Sequence, residues 1–320
     1  MQTRWLALAA ALLALGATAC GAKEGDGATA GQTDPEVAAP PRMIEHAMGT
    51  TQVTGRPQRV VVLDTGELDT AVSLGVTPVG AVEAITGDGL PDYLADRVRD
   101  VDLVGTIEQP NLETIAALQP DLILSNKLRH EAIYDQLSQV APTVFAEETG
   151  VTWKENFDLY ARALGRIDQA RQLEQRYDRD IAAFKAAMGE RLAETEISVV
   201  RSVGDEVRLY ANENFIGTIL EDTGLARPQA QDKDTFSITA TPENIEALDG
   251  DVMFLSRFGD EHPILQGLME DPRWDRLQAV RQGDVHEVPD DLWFLGIGYL
   301  AADLILEDLH QVLVEGRPLR

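Results

Sequence analysis

Cysteine occurs once in the 320 residues, at position 20. A single thiol excludes an internal disulfide framework, a zinc–thiolate cluster and a CxxC redox pair. Basic residues are scarce as well: 27 Lys and Arg stand against 54 Asp and Glu, a net charge of −27. A chain this acidic repels phosphate backbones and anionic lipid surfaces, which argues against nucleic-acid binding through a basic face. Histidine is sparse, and His46, His130, His262, His286 and His310 show neither His-x-His nor H-E-x-x-H spacing, so a zinc or manganese site is not expected. No two of the six tyrosines adjoin, as a site for bare ferric iron would favour. Nucleophile elbows of the G-x-S-x-G type and P-loops are missing too, and nothing singles out a catalytic carboxylate pair among so many acids. What is present is ordinary for a folded protein. Hydrophobic residues make up 44% and charged residues 25%, spread along the chain, which excludes disorder for most of its length. The length suggests two domains or one large one.

The N-terminal region is the exception to the even spread. Arg4 is the only charge before Lys23, and an apolar run of 13 residues, Trp5 to Ala17, follows it. That is too short to cross about 30 Å of hydrocarbon and reads as the core of a signal peptide. Thr18-Ala19-Cys20-Gly21 comes next. It resembles a bacterial lipobox, in which the cysteine is acylated and becomes the new N-terminus. On this reading Cys20 is a lipid anchor holding the protein at the extracytoplasmic face of the cell membrane. Loss of residues 1–19 removes Arg4 and leaves a mature charge of 26 − 54 = −28. Residues 22–41 are rich in Gly, Ala, Thr, Asp and Pro without periodicity, as expected of a flexible tether. No later segment is long and apolar enough to span a bilayer.

The rest alternates. Arg59 to Leu63 is a continuous apolar run bounded by Pro57 and Asp64-Thr65-Gly66, the pattern of a buried parallel strand. Glu67–Leu74 reads as a helix stopped by Gly75, Val76–Val82 as a strand, Asn111–Leu118 as a helix, Asp121–Leu124 as a strand, Arg129–Val140 as a helix and Val144–Ala146 as a strand. Trp153 to Glu194 is helical with one break at Gly165, and its second part carries Ala170, Leu173, Tyr177, Ile181, Phe184 and Met188 at helical spacing. Alternation then resumes from Ile197 and closes in a helix over Ile297–Val314. The expected fold is α/β, with two similar α/β lobes joined by one long helix and a ligand cleft between them. The expected boundaries are a signal peptide at 1–19, a lipid-anchored tether at 20–42, an N-terminal lobe at 43–165, a bridging helix at 166–195 and a C-terminal lobe at 196–320. Gly296-Ile297-Gly298-Tyr299-Leu300-Ala301 matches a G-x-G-x-x-A dinucleotide fingerprint. No strand with an acidic ribose partner follows it, and a tight loop-to-helix turn explains it better.

Several stretches, in order, resemble the iron–siderophore binding lipoproteins of bacterial ABC importers. They are Pro57–Leu63 with Glu67-Leu68-Asp69, Leu74–Gly80, Gly105–Leu124, Lys127-Leu128-Arg129-His130 through Tyr134–Leu137 to Ala141–Val144, and Val285–Val288 followed by Trp293. The resemblance covers about residues 42–315, and it is their order and spacing together that is specific. It implies a fairly rigid pair of lobes, a cleft that takes a ferric siderophore, and delivery to a membrane permease, without catalysis. The Lys127–Leu137 stretch resembles hydroxamate-binding members most. Haem- or cobalamin-binding relatives of the same fold remain the alternative, with His130 and Tyr210 as conceivable haem ligands. A cell-surface enzyme is a distant third.

A ferric siderophore already coordinates its iron, so no resident metal or cofactor is expected. The protein need supply only cationic donors for the chelate oxygens and aromatic walls for the spacers. Arg201, ending the strand from Ile197, is the first candidate, because the resemblance places a ligand-binding arginine there and a guanidinium fork suits paired oxygens. Lys127 and Arg129 follow the strand at Leu122–Leu124 and are expected to reach the cleft from the other lobe. Strand alternation puts Arg208 and Tyr210 on one face. Trp293, in a loop before the last helix, and Trp153, near the lobe junction, are the candidate aromatic walls, and Thr65 lines the cleft through its backbone. Glu113 and Glu243 open equivalent short helices in the two lobes, where the resemblance implies pairing with permease arginines and the helix dipole offers a second reason for an acid. The protein is expected to act as a monomer.

Overall fold

The computed structural model describes residues 41–84 and 89–319. The expected signal peptide, Cys20 and the tether up to residue 40 lie outside the described residues.

An antiparallel hairpin of β1 (Arg42–His46) and β2 (Gly49–Val53) opens the described chain. The first lobe then runs β3 (Val60–Val62), α1 (Thr65–Ser73), β4 (Gly80–Glu83), β5 (Asp102–Thr106), α2 (Leu112–Ala117), β6 (Leu122–Asn126), α3 (Lys127–His130), α4 (Tyr134–Val140) and β7 (Thr143–Ala146). Its strands form a parallel sheet in the order β5-β4-β3-β6-β7. Val60, Val61 and Val62 are wholly buried at its centre, as a strand covered on both faces must be.

Two helices lead to the second lobe. α5 (Trp153–Leu164) ends at Gly165, whose φ of 68° is the left-handed conformation that terminates a helix at least cost in glycine. α6 (Ile167–Met188) is the long helix between the sheets. Beyond it come β8 (Ile197–Val203), β9 (Glu206–Tyr210), α7 (Phe215–Thr223), β10 (Ser237–Thr239), β11 (Val252–Phe258), α8 (Pro263–Glu270), α9 (Gln278–Gln282), β12 (Val285–Glu287), α10 (Asp290–Trp293) and α11 (Tyr299–Leu313). This sheet is mixed, ordered β10-β9-β8-β11-β12, with β8, β11 and β12 parallel and β9 and β10 antiparallel.

The α/β architecture of two lobes and one long helix is as expected, with local corrections. The strand expected from Val76 begins only at Gly80, because Pro78 offers no N–H to a neighbouring strand. The single helix expected over Arg129–Val140 is broken into α3, a 3-10 turn at Glu131–Ile133 and α4. The segment Asp290–Trp293, expected as a loop, is the short helix α10. Arg201 does not end its strand, since β8 continues to Val203.

The closing helix α11 packs on α6 and on α1 of the first lobe, so it ties both to the lobe it follows. Asp69 of α1 makes the joint. Its carboxylate accepts the Leu300 and Ala301 amides at 3.1 and 3.0 Å and the Tyr93 hydroxyl at 3.1 Å, capping the first turn of α11. Gly298 lies against this carboxylate with no room for a Cβ, which accounts for the glycine-rich approach to the helix. Burial pushes the Asp69 carboxyl up to about 6. Beside the joint, Trp153, Phe157, Tyr177, Phe215 and Tyr299 pack edge-to-face with centroids 4.6–5.8 Å apart. Such pairs add roughly 0.5–1.5 kcal/mol each beyond their area, so this cluster stiffens the junction of the two lobes.

Candidate functional site

The carboxyl ends of β3, β6 and β8 converge on a cleft of about 610 Å³. In open α/β sheets this is where crossover connections diverge and leave a crevice. Asp64, Thr65, Ile107, Leu128, Arg129 and residues 148–151 line it from the first lobe. Arg201, Arg208, Tyr210, residues 213–216, Phe236 and residues 293–297 line it from the second. A larger cavity of about 720 Å³ lies elsewhere, in a groove between α6 and α11 where Arg176 pairs with Asp303 at 2.5 Å. Arg97 of the first lobe joins Arg176 in its lining, but the groove touches no strand end, so the interlobe cleft is the better candidate despite its smaller size.

Arg201 is the most constrained cation in the cleft. Its Nε and Nη2 donate to Asp290 at 2.7 and 2.5 Å, a bidentate fork, and its Nη1 donates to the Tyr210 hydroxyl at 3.1 Å. The Phe258 and Phe294 rings lie 5.1 and 5.2 Å from the guanidinium carbon. Burial alone would lower its pKa, but the hydrogen bonds and charge of Asp290, with Tyr210, outweigh it and raise the value.

Arg129 comes from the opposite lobe at the start of α3 and is looser. Its Nε lies 3.4 Å from Asp64, and its side chain is 44% exposed. Asp64 itself is buried: it caps α1 by accepting from the Thr65 amide at 2.8 Å, and Asn126 Nδ2 donates to it at 3.0 Å. Asn126 Nδ2 also donates to Glu67 at 3.2 Å, and the Tyr160 hydroxyl donates to Glu67 at 2.6 Å. Burial, together with the neighbouring Asp64 charge, pushes the Glu67 carboxyl up to about 7. A pair of carboxylates thus lies under the cleft floor.

Arg208 and Tyr210 do share one face of β9 and both reach the cleft, with Arg208 held by Glu206 at 2.8 Å. Thr65 lines the cleft as expected. Three expectations meet a different placement. Lys127 pairs with Glu147 at 2.7 Å and is not part of the cleft wall. Trp153 sits in the aromatic junction, its indole N–H donating to Thr218 at 2.9 Å, outside the cleft. Trp293 backs the cleft wall but is wholly buried, stacked on Phe254 at 4.6 Å and donating to Asp308 at 2.9 Å. Both indoles have core partners for ring and N–H alike.

The aromatic wall is instead Phe236, Phe294 and Tyr210, with Phe258 behind Arg201. Phe236 is 49% exposed at the mouth, facing Leu128 and Val151 of the other lobe's wall at 64% and 44%. The sequence signal for Phe236 was a lone aromatic in the polar stretch Asp232–Thr239. Asp290, which holds Arg201, carried no signal among so many acids.

The two conceivable haem ligands are engaged. His130 is buried, with Nδ1 2.6 Å from Ser125 Oγ and Nε2 2.6 Å from the Ile107 carbonyl, and burial lowers its pKa. The Tyr210 hydroxyl is bound to Arg201. Among the described residues no group of three His, Cys, Asp or Glu is placed to hold a metal ion, and no helix is long and apolar enough to cross a membrane.

Residues 60–292 match the Periplasmic binding protein family. The chain is 38% identical over 283 residues to the "Probable siderophore-binding lipoprotein YfiY" of Bacillus subtilis, an alignment covering 84% of this chain and 86% of the relative. It is 30% identical over 263 residues to the Fe(3+)-citrate-binding protein YfmC of the same organism, covering 80% and 81%. Its fold superposes on the crystal structure of Staphylococcus aureus SirA complexed with staphyloferrin B with a TM-score of 0.76 and 34% identity, covering 85% of this chain and 98% of that one.

Proposed function

The chain belongs to the periplasmic binding protein family, and we propose that it captures a ferric siderophore in the interlobe cleft and delivers it to the permease of an ABC importer. As a member of that family it is an extracytoplasmic binding protein and not an enzyme. The observation that carries the ligand assignment is the cleft itself. Arginines from both lobes converge over strand ends, beside aromatic and aliphatic walls, in a space of about 610 Å³. That volume suits a compact chelate, and the guanidinium N–H groups suit its coordinating oxygens. The siderophore holds the iron, so the protein contributes donors and shape and no metal ligand. His130, engaged through both ring nitrogens, offers no free axial donor to haem.

A hydroxamate chelate is the expectation from the Lys127–Leu137 stretch. A carboxylate chelate is the second reading, favoured by the Fe(3+)-citrate-binding relative. Titration of the purified protein with ferric hydroxamates, ferric citrate, ferric catecholates, haem, cobalamin and free metal ions, followed by tryptophan fluorescence, tests both. Trp293 backs the cleft wall and serves as the reporter. Saturable quenching by ferric siderophores alone supports the proposal. A tight response only to haem or to bare metal sinks it.

Glu113 and Glu243 are proposed as the permease contacts. Each is exposed in the first turn of a short helix, one in α2 and one in the 3-10 turn at Pro242–Leu248. A hydrogen bond from Thr241 holds the Glu243 carboxyl below the usual range, so it is charged at neutral pH. The proposed protein is a monomer anchored through acylated Cys20.

A further inference from the structure

We propose that the carboxylates paired with the cleft arginines, Asp290 foremost, tune this cleft for ferric chelates of low net charge and against polyanionic ones. The inference rests on the function proposed above and concerns which chelate the same site selects.

Each cleft arginine has a carboxylate of its own. Arg201 and Asp290 form a bidentate pair whose side chains are only 9% and 10% exposed, and Ser256 Oγ donates to Asp290 at 2.7 Å, fixing the acid in turn. Arg208 lies 2.8 Å from Glu206, and Arg129 lies 3.4 Å from Asp64. Glu148 and Glu213 add exposed carboxylates to the two walls. Three cations therefore meet five carboxylates, and the local balance is negative even though arginines dominate the hydrogen-bonding surface.

Pairing does not remove a donor's remaining N–H bonds, but it cancels most of the field beyond the pair. A neutral or singly charged chelate loses little by this: it meets fixed N–H donors and the apolar rim of Leu128, Val151 and Phe236. A polyanion loses the attraction it would need, and it approaches a chain of net charge −27. Selection against such ligands is built from the repulsive element as much as from the attractive one.

The test titrates wild-type protein, Asp290→Asn and Glu206→Gln with a neutral ferric trihydroxamate and a trianionic ferric triscatecholate at low ionic strength. Wild type is expected to bind the neutral chelate at least about tenfold more tightly. Asp290→Asn keeps a neutral partner of the same shape on Arg201. Glu206→Gln alters a half-exposed pair where folding is not at stake. Each should move the affinity ratio toward the trianion, by about threefold to tenfold, and the shift should shrink with added salt. A wild-type preference for the trianion, or ratios unchanged in both variants, overturns the inference while leaving the proposed function standing. Binding of neither chelate, nor of ferric citrate titrated in parallel, overturns the proposed function and the inference with it.

Discussion

Glu67 lies under the cleft floor at 2% exposure, accepts from Tyr160 and Asn126, and faces the charge of Asp64. Burial and that charge raise its carboxyl from 4.5 to about 7. A raised folded-state value means that the folded protein holds the proton more tightly than the unfolded chain. The stabilisation is complete below about 4.5 and is lost as pH rises through about 7. At about 1.4 kcal/mol per unit the whole effect is on the order of 3 kcal/mol. Glu67→Gln keeps an acceptor for the Tyr160 hydroxyl and places an amide beside Asp64, with no charge to bury. Urea unfolding of wild type and variant at pH 5, 6, 7 and 8 isolates the effect, because every other titrating group is common to both. The variant should match wild type near pH 5 and exceed its stability at pH 8 by up to about 3 kcal/mol. A difference that does not change with pH would show that Glu67 titrates as an ordinary surface acid, and the account of the floor would be wrong.

Other outcomes follow from the same geometry. Arg201→Lys keeps the charge but loses the fork, so it should weaken ferric siderophore binding with the fold intact, by roughly tenfold or more in a fluorescence titration. Unchanged affinity would remove Arg201 from the site. Gly298→Ala drives a methyl group into the Asp69 carboxylate and should lower thermal stability by about 1–3 kcal/mol; an unaltered melting temperature would contradict the packing of α11 on α1. Glu113→Ala combined with Glu243→Ala should leave chelate affinity unchanged and depress uptake in cells. Normal uptake by that double variant would end the docking assignment.

The buried elements were legible because their signals are local. Val60–Val62 and Leu122–Leu124 are continuous apolar runs bounded by turn residues, and α6 repeats its apolar positions at helical spacing with Gly165 before it. The β1–β2 hairpin, β5 and β10 escaped because they are short and each strand buries at most one residue, as in Gly49–Val53 and Ser237–Thr239, so no alternation marks them. Among the site residues, Arg201, Arg208, Tyr210 and Arg129 could be picked from their position at or after strands, where side-chain direction is set by the backbone. Trp153 and Trp293 could not be told apart from wall residues, since their hydrogen-bond partners Thr218 and Asp308 are distant in sequence. Lys127 differs from Arg129 by two positions, which on the turn of α3 is enough to send one to Glu147 and the other to Asp64. Asp290 was invisible for the reverse reason: an acid is unremarkable in so acidic a chain until the fold brings it to Arg201.

The most direct measurement is a crystal structure of the protein soaked or co-crystallised with a ferric siderophore that it binds, with iron located by its anomalous scattering. One iron is expected in the interlobe cleft, within the chelate's reach of Arg129 from one lobe and Arg201 from the other. Iron lodged instead in the groove between α6 and α11, or coordinated directly by protein side chains, would contradict that expectation.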